Sequence, residues 1–166
     1  MKAIYLIGFM GAGKTSVSKE LAERLSVGCF DTDEEIIKAS GKAINMIFAT
    51  EGEQSFRKKE TEIIQAMPSE NAVIATGGGA ILRETNRRAM KEKGLVVFLF
   101  AEPAEILERL REDTTRPLLQ HKKREKAEAL YSERLPLYRQ AAHLEIDTTG
   151  KGVGEIAEEI IRRMKQ

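Results

Sequence analysis

Tryptophan is absent from this chain of 166 residues, cysteine occurs once, histidine twice and proline four times. A lone cysteine, Cys29, excludes an internal disulfide framework and fits a reducing compartment. It reads as a small apolar filler. His121 and His143 have no second histidine or cysteine at ligand spacing, which excludes the usual zinc sites; both read as structural or solvent-facing. No run approaches the roughly 18 apolar residues of a membrane helix, and the chain opens on a short strand-like segment instead of a basic leader. A cytoplasmic, unexported protein is expected, with no membrane partner. Charge of one sign is also missing: 27 Lys and Arg against 26 Asp and Glu leave a net +1, so no global field draws the chain to nucleic acid. Any electrostatic function must be local, and a chain of this length defaults to one domain.

What is present begins at residue 8. Gly8-Phe9-Met10-Gly11-Ala12-Gly13-Lys14-Thr15 follows the apolar run Ala3–Ile7 and completes the pattern G-x-x-x-x-G-K-[ST]. Its glycines let successive backbone N–H groups converge on phosphate oxygens, and the helix that follows adds its partial positive charge. Lys14 reaches the β- and γ-phosphates in such a loop, and the Thr15 hydroxyl ligates magnesium. Taken alone, the motif predicts a nucleoside triphosphate ligand and leaves switch, hydrolase and kinase open.

Apolar segments at Ala3–Ile7, Ala72–Ala75, Leu95–Phe100 and His143–Ile146, with a weaker one at Gly28-Cys29-Phe30, alternate with helical periodicity. Helices are predicted over Thr15–Leu25, Asp33–Ala39, Ile44–Met67, Arg83–Lys93, Pro103–Glu112, Arg124–Ala141 and Val153–Met164. Alternation of this kind predicts an α/β fold, a five-stranded parallel sheet covered by helices on both faces. Glu51-Gly52-Glu53 should break the third helix in two. Residues 113–125, polar and basic around Pro117, form a candidate lid, and the basic residues from Lys122 to Lys126 read as a solvated loop.

Asp31 and Asp33 stand two apart at the predicted end of the second strand, where extended geometry would aim both carboxylates to one side. One could serve the metal's water shell and the other an attacking hydroxyl, while Asp33 could instead merely cap the helix starting at Glu34. The third strand runs through Thr76 into Gly77-Gly78-Gly79 with no acid, so the usual metal-side Asp is missing there. That gap raises the value of Asp31 and lowers that of a GTPase-like hydrolase. The three glycines read as bare backbone for a ligand, with a helix from Ala80. Arg57, Arg116 and Arg139 carry forks suited to carboxylate or phosphate; a lid arginine suits charge on a transferring phosphoryl group, and Arg57 with Arg139, if they converge, suits an acidic acceptor.

Together these motifs resemble the shikimate kinase family over essentially the whole chain. The resemblance rests on the phosphate loop, Asp31-Thr32-Asp33, the stretch Ile47–Arg57, Gly77–Gly79, Arg116-Pro117-Leu118-Leu119, Arg134–Arg139 and Ile146-Asp147-Thr148. It implies the three-layer α-β-α P-loop kinase fold with a mobile lid and an acceptor region about residues 33–60. It also implies transfer of phosphate from ATP to shikimate, with Mg2+ as cofactor and a monomeric enzyme. By matching motif, Lys14, Asp33 and Arg116 would be catalytic. Gly11, Ala12, Gly13, Lys14, Thr15, Ser16, Arg109 and Arg116 would bind ATP, with Arg109 and residues 147–151 flanking adenine. Asp33, Arg57, Gly77, Gly78, Gly79 and Arg139 would hold shikimate, and Thr15 with Asp31, through water, would serve the metal. Thr15-Ser16 reverses the family's common Ser-Thr, which keeps both loop hydroxyls, and Ser18 replaces a common glycine, which puts packing, not chemistry, at issue. The rivals are another P-loop metabolite kinase such as gluconate kinase, and a non-catalytic nucleotide-binding regulatory domain.

Overall fold

Strand β1, Ala3–Ile7, is buried along its whole length, because it lies at the centre of a sheet covered on both faces. Its alternate side chains feed two different cores. Tyr5 and Ile7 pack with Ile74, Met90, Phe98 and Tyr138 on one face, while Ile4 and Leu6 pack with Val17, Leu21, Ile156 and Ile160 on the other. The structure, a computed structural model, describes residues 1–110 and 123–166. The candidate lid up to residue 122, with Arg116 and His121, lies outside the described residues.

The other strands are β2 (Gly28–Asp31), β3 (Ala72–Ala75), β4 (Gly94–Phe100) and β5 (Leu144–Asp147), paired in parallel in the order β2-β3-β1-β4-β5. The helices are α1 (Lys14–Leu25), α2 (Thr32–Ser40), α3 (Ile44–Glu51), α4 (Glu53–Ala66), α5 (Glu84–Lys93), α6 (Pro103–Leu110), α7 (Lys123–Ala141) and α8 (Val153–Met164). The expected break at Gly52 separates α3 from α4, with Gly52 at φ 88°. Two readings are corrected. The helix expected from Ala80 is a single 3-10 turn, Ala80–Leu82, before α5 begins at Glu84, and the basic residues from Lys123 start helix α7 instead of lying in a loop. Among the described residues no helix is long and apolar enough to cross a membrane.

A third, smaller core of Ile36, Ile47 and Phe56 joins α2, α3 and α4 at one edge of the sheet. Phe48 packs on Phe56 with ring centroids 4.9 Å apart. Elsewhere the ends of elements are tied by long-range polar contacts. Lys93 Nζ donates to the carbonyls of Gln65 (2.9 Å) and Met67, closing the C-terminus of α4 beside the Met67 N–H bond to the Ile64 carbonyl. Cys29 departs from its expected role as a filler, since it is exposed on edge strand β2.

His143 fills its structural role at the start of β5: its N–H donates to the carbonyl of Val96 (2.8 Å), and its Nδ1 accepts from the Val96 N–H (2.9 Å). Burial first, then nearby Lys91 and Lys2, hold the imidazole pKa below its ordinary value. A depressed pKa contributes stability above the unfolded value of about 6.5 and loses it as pH falls through the folded value. Protonation also turns the Nδ1 acceptor into a donor facing a donor. Thermal unfolding followed from about pH 8 to about pH 5 should therefore show a falling Tm on the acid side, and H143N, which offers a non-titrating acceptor, should make that slope shallower.

Candidate active site

Helix α1 starts from Gly13, held at φ 90° where a side chain would be strained, with no side-chain cap and no acidic residue in its first turn. Its leading N–H groups therefore stay open to an anion. Lys14 Nζ donates to the backbone carbonyls of Gly8 and Phe9, the latter at 3.0 Å, so the lysine is folded over its own loop. Gly11, Gly13, Lys14, Thr15, Ser16, Asp31, Asp33 and Thr76 line a cleft of about 710 Å³, mouth included. Thr76 stands where other P-loop proteins carry an acid; its hydroxyl donates to the Leu6 carbonyl at 2.9 Å.

The two aspartates are brought together, but not by strand alternation. Strand β2 ends at Asp31, which is itself the N-cap of α2: its Oδ1 accepts from the N–H groups of Asp33 (2.9 Å) and Glu34 (3.2 Å). The capping role weighed for Asp33 thus belongs to Asp31. Its other oxygen, Oδ2, accepts from the Thr15 hydroxyl at 3.2 Å. One hydroxyl backed by one carboxylate is a donor set that fits a Mg2+ whose remaining ligands would come from nucleotide and water. Among the described residues no group of three acidic, histidine or cysteine side chains could hold a metal alone.

Asp33, released from capping, also lines a second cleft of about 460 Å³ with Met10, Ile44, Phe48, Phe56, Arg57, Glu60, Gly77, Gly78, Gly79 and Arg134. Arg57 is 8 % and Arg134 3 % exposed, and the buried Nε of each makes no hydrogen bond, that of Arg57 lying 3.8 Å from Glu53 Oε2. Two buried guanidinium groups with spare donor capacity suit an anionic acceptor. Arg57 Nη1 donates to Glu60 Oε1 at 3.0 Å, and its guanidinium lies 5.1 Å from the Phe56 ring centroid. Glu60 is fully buried, its Oε2 has no partner, and burial pushes its pKa up against the pull of Arg57.

The three glycines line the cleft, and at two of them no side chain would fit. A Cβ on Gly77 would lie 2.9 Å from Asp33 Oδ1 and 3.0 Å from Glu60 Oε2, and one on Gly79 would lie 2.5 Å from both terminal nitrogens of Arg57. The space that side chains would fill is taken by the charged groups of the cleft. The loop is fixed from outside: Gly77 N–H donates to Thr32 Oγ1 (3.2 Å), and the Tyr138 hydroxyl donates to the Gly78 carbonyl (2.6 Å).

Arg139 is not brought to this cleft. It is exposed at the far side of α7, paired with Glu145 at 3.0 Å and lying over Phe100. The arginine that meets Arg57 is Arg134, at the other end of the same motif. Helix phase explains the difference: Ala127, Tyr131, Arg134, Tyr138 and Ala141 share the buried face of α7, and Arg139 is one residue past it. The same periodicity carries Glu60, on the buried face of α4 with Phe56, Arg57 and Ile64. Ala12 is buried at the loop. Arg109, expected beside adenine, donates from Nη1 to the Gly11 carbonyl at 2.9 Å. Ser18 is accommodated, buried with its hydroxyl donating to the Thr15 carbonyl at 2.8 Å.

Comparison with known proteins agrees with this geometry. The family model described as Shikimate kinase matches residues 10–165. A shikimate kinase of Bacillus cereus (strain AH187) is 48 % identical over 166 residues, all of both chains, and one of Burkholderia thailandensis is 44 % identical over 98 % of this chain and 89 % of its own. Among solved structures, the shikimate kinase of Acinetobacter baumannii in complex with shikimate superposes with a TM-score of 0.94 at 39 % identity, covering 99 % of this chain and 93 % of that one. A gluconokinase of Sinorhizobium meliloti shares the fold at 17 % identity and a TM-score of 0.64, covering 99 % of this chain and 91 % of that one. With matching family pattern, full-length relatives and superposed structure in agreement, the chain belongs to the shikimate kinase family.

Proposed function

We propose that this chain phosphorylates a hydroxyl of shikimate from ATP with Asp33 as the acceptor-side catalytic group, working as a single cytoplasmic domain and a monomer. The observation that carries the assignment is that, among the described residues, Asp33 is the one that lines both the phosphate-loop cleft and the arginine cleft. A carboxylate at that junction reaches an acceptor hydroxyl on one side and the γ-phosphorus on the other. It takes the hydroxyl proton as the new O–P bond forms and the bond to ADP breaks. Lys14 exchanges the carbonyls of Gly8 and Phe9 for phosphate oxygens, and the α1 N–H groups hold the remaining charge. Thr15, with Asp31 behind it, would hold a Mg2+, which would supply charge neutralisation to the nucleotide phosphates. Arg116, assigned from the motif alone, would add its charge to the transferring group.

Arg57 and Arg134 hold the acceptor carboxylate in this reading, and Arg139 does not. An ADP-release assay over a panel of hydroxy acids tests the whole reading: turnover with shikimate and none with gluconate is expected, and no shikimate-dependent ADP release refutes it. Loss of one charge-assisted hydrogen bond, about 1.5–3 kcal/mol, should raise the shikimate KM of R134A roughly 10- to 100-fold. R139A should stay within about twofold of wild type, since only a surface pair is lost. D33N should lower kcat by a factor on the order of 10² or more, leaving the ATP KM within about threefold.

The Glu60 carboxyl gives a pH dependence of definite sign. Its raised pKa means that the group is neutral on the acid side, where Arg57 keeps its full charge for the acceptor. As pH rises through that value the ionised carboxylate competes for Arg57, faces Asp33 across Gly77 and lies near Arg134. The shikimate KM should therefore climb with pH, and E60Q should flatten the climb; an equal slope in both proteins would assign it elsewhere.

A further inference from the structure

Helix α6 joins two loops that are remote in sequence. Arg109, in its last turn, donates from Nη1 to the Gly11 carbonyl of the phosphate loop at 2.9 Å and forms an ion pair from Nη2 with Glu105 Oε1 at 3.1 Å. Glu105 Oε1 also accepts from the backbone N–H of Gly150 at 3.3 Å, in the loop after β5. That loop has its own scaffold: the Asp147 carboxylate accepts from Thr149 N–H (2.9 Å), and the Thr149 hydroxyl accepts from Glu102 N–H (3.0 Å). Leu110 completes the contact, lying 3.2 Å from where a Cβ on Gly11 would stand. The second oxygen of Glu105, Oε2, is buried and has no hydrogen-bond partner.

The sheet order says which part of the nucleotide meets this bridge. The phosphate loop follows β1 at the centre, and the acceptor cleft occupies the carboxyl ends of β2 and β3 through Asp33 and Gly77–Gly79. A nucleotide with its phosphates on the loop has the remaining side open to it, over the carboxyl ends of β4 and β5. There α6 and residues 147–151 form the two walls. Resting on the proposed ATP reading, we propose that Glu105 is a positioning residue for the nucleoside half of ATP, holding Arg109 and the Gly150 loop at a fixed separation. It touches neither the phosphates nor the acceptor. Its action runs through Arg109 and the Gly150 backbone, so the nucleoside side of the site is set before ligand arrives.

The test compares E105Q and E105A with wild type in the full-length enzyme, by calorimetric binding of ADP and by initial rates with each substrate varied. Loss of the bridge should weaken ADP and raise the ATP KM of E105A about five- to tenfold, one to two hydrogen bonds' worth, while the shikimate KM stays within about twofold. E105Q keeps an acceptor for Gly150 N–H but loses the charge that holds Arg109, and should fall between. Inorganic tripolyphosphate, used as an inhibitor competing with ATP, has no nucleoside and should inhibit E105A as well as wild type. The double variant E105A/R109A should be no weaker for ADP than R109A alone, because both act through one bridge. Unchanged ADP affinity, equal weakening of ADP and tripolyphosphate, or multiplicative effects in the double variant would each overturn the proposal. Wild-type enzyme that binds no ADP would instead refute the ATP reading. Melting curves separate either result from loss of the fold, and E105Q serves if E105A does not fold.

Discussion

One carboxylate sets the relation between the two halves of the site. Asp31 Oδ1 caps α2 through the N–H groups of Asp33 and Glu34, and Oδ2 receives the Thr15 hydroxyl from α1. Two helix N-termini from different parts of the chain are thereby tied to a single side chain. An N-cap is worth about 1 kcal/mol to a helix on its own. Its larger effect here is positional, because the cap fixes the first turn of α2 and so directs Asp33 into the space between the phosphate loop and the arginines. Thr32, fully buried in the same turn, adds a second tie by accepting from Gly77 N–H.

The acceptor cleft is then a problem of buried charge. Arg57, Arg134, Glu60 and Asp33 crowd against Gly77–Gly79, and only a backbone without side chains leaves room for them. Burying ions is costly unless they are paired, and here the hydrogen bonding is incomplete: the Nε of Arg57, the Nε of Arg134 and the Oε2 of Glu60 make no hydrogen bond. In the proposed reading, an anionic acceptor would offset part of that cost and so favour a carboxylate of the right shape.

The sheet, the break at Gly52 and the phosphate loop were legible because each is a local pattern: short continuous apolar runs, a glycine between two acids, eight residues with two fixed glycines and a lysine. The acceptor cleft was only half legible. Arg57 carried a motif, whereas Arg134 and Glu60 are chosen by which face of a helix is buried, and that depends on neighbours far away in sequence. Arg139 follows a buried tyrosine directly and was the easier residue to pick; counting phase over the two turns from Tyr131 to Tyr138 selects Arg134 instead. Asp31 and Asp33 were rightly paired for a wrong reason, since alternation assumed a strand where a helix begins. The exposure of Cys29 was hidden for a simpler cause: β2 is an edge strand, and edge position is a property of the sheet, not of the segment.

The small core of Ile36, Ile47 and Phe56 divides the molecule energetically. Helices α2 and α3 bury their apolar faces largely against each other and α4, with Ile37 and Met46 left exposed, while the phosphate loop is anchored to the two larger cores of the sheet. A corner with so few buried contacts opens at a lower free energy than the sheet does. The acceptor side can therefore breathe, exchange its backbone hydrogens and accept substitution while the nucleotide side stays folded. Acceptor preference in such an architecture can drift from one protein to the next without rebuilding the machinery that handles phosphate.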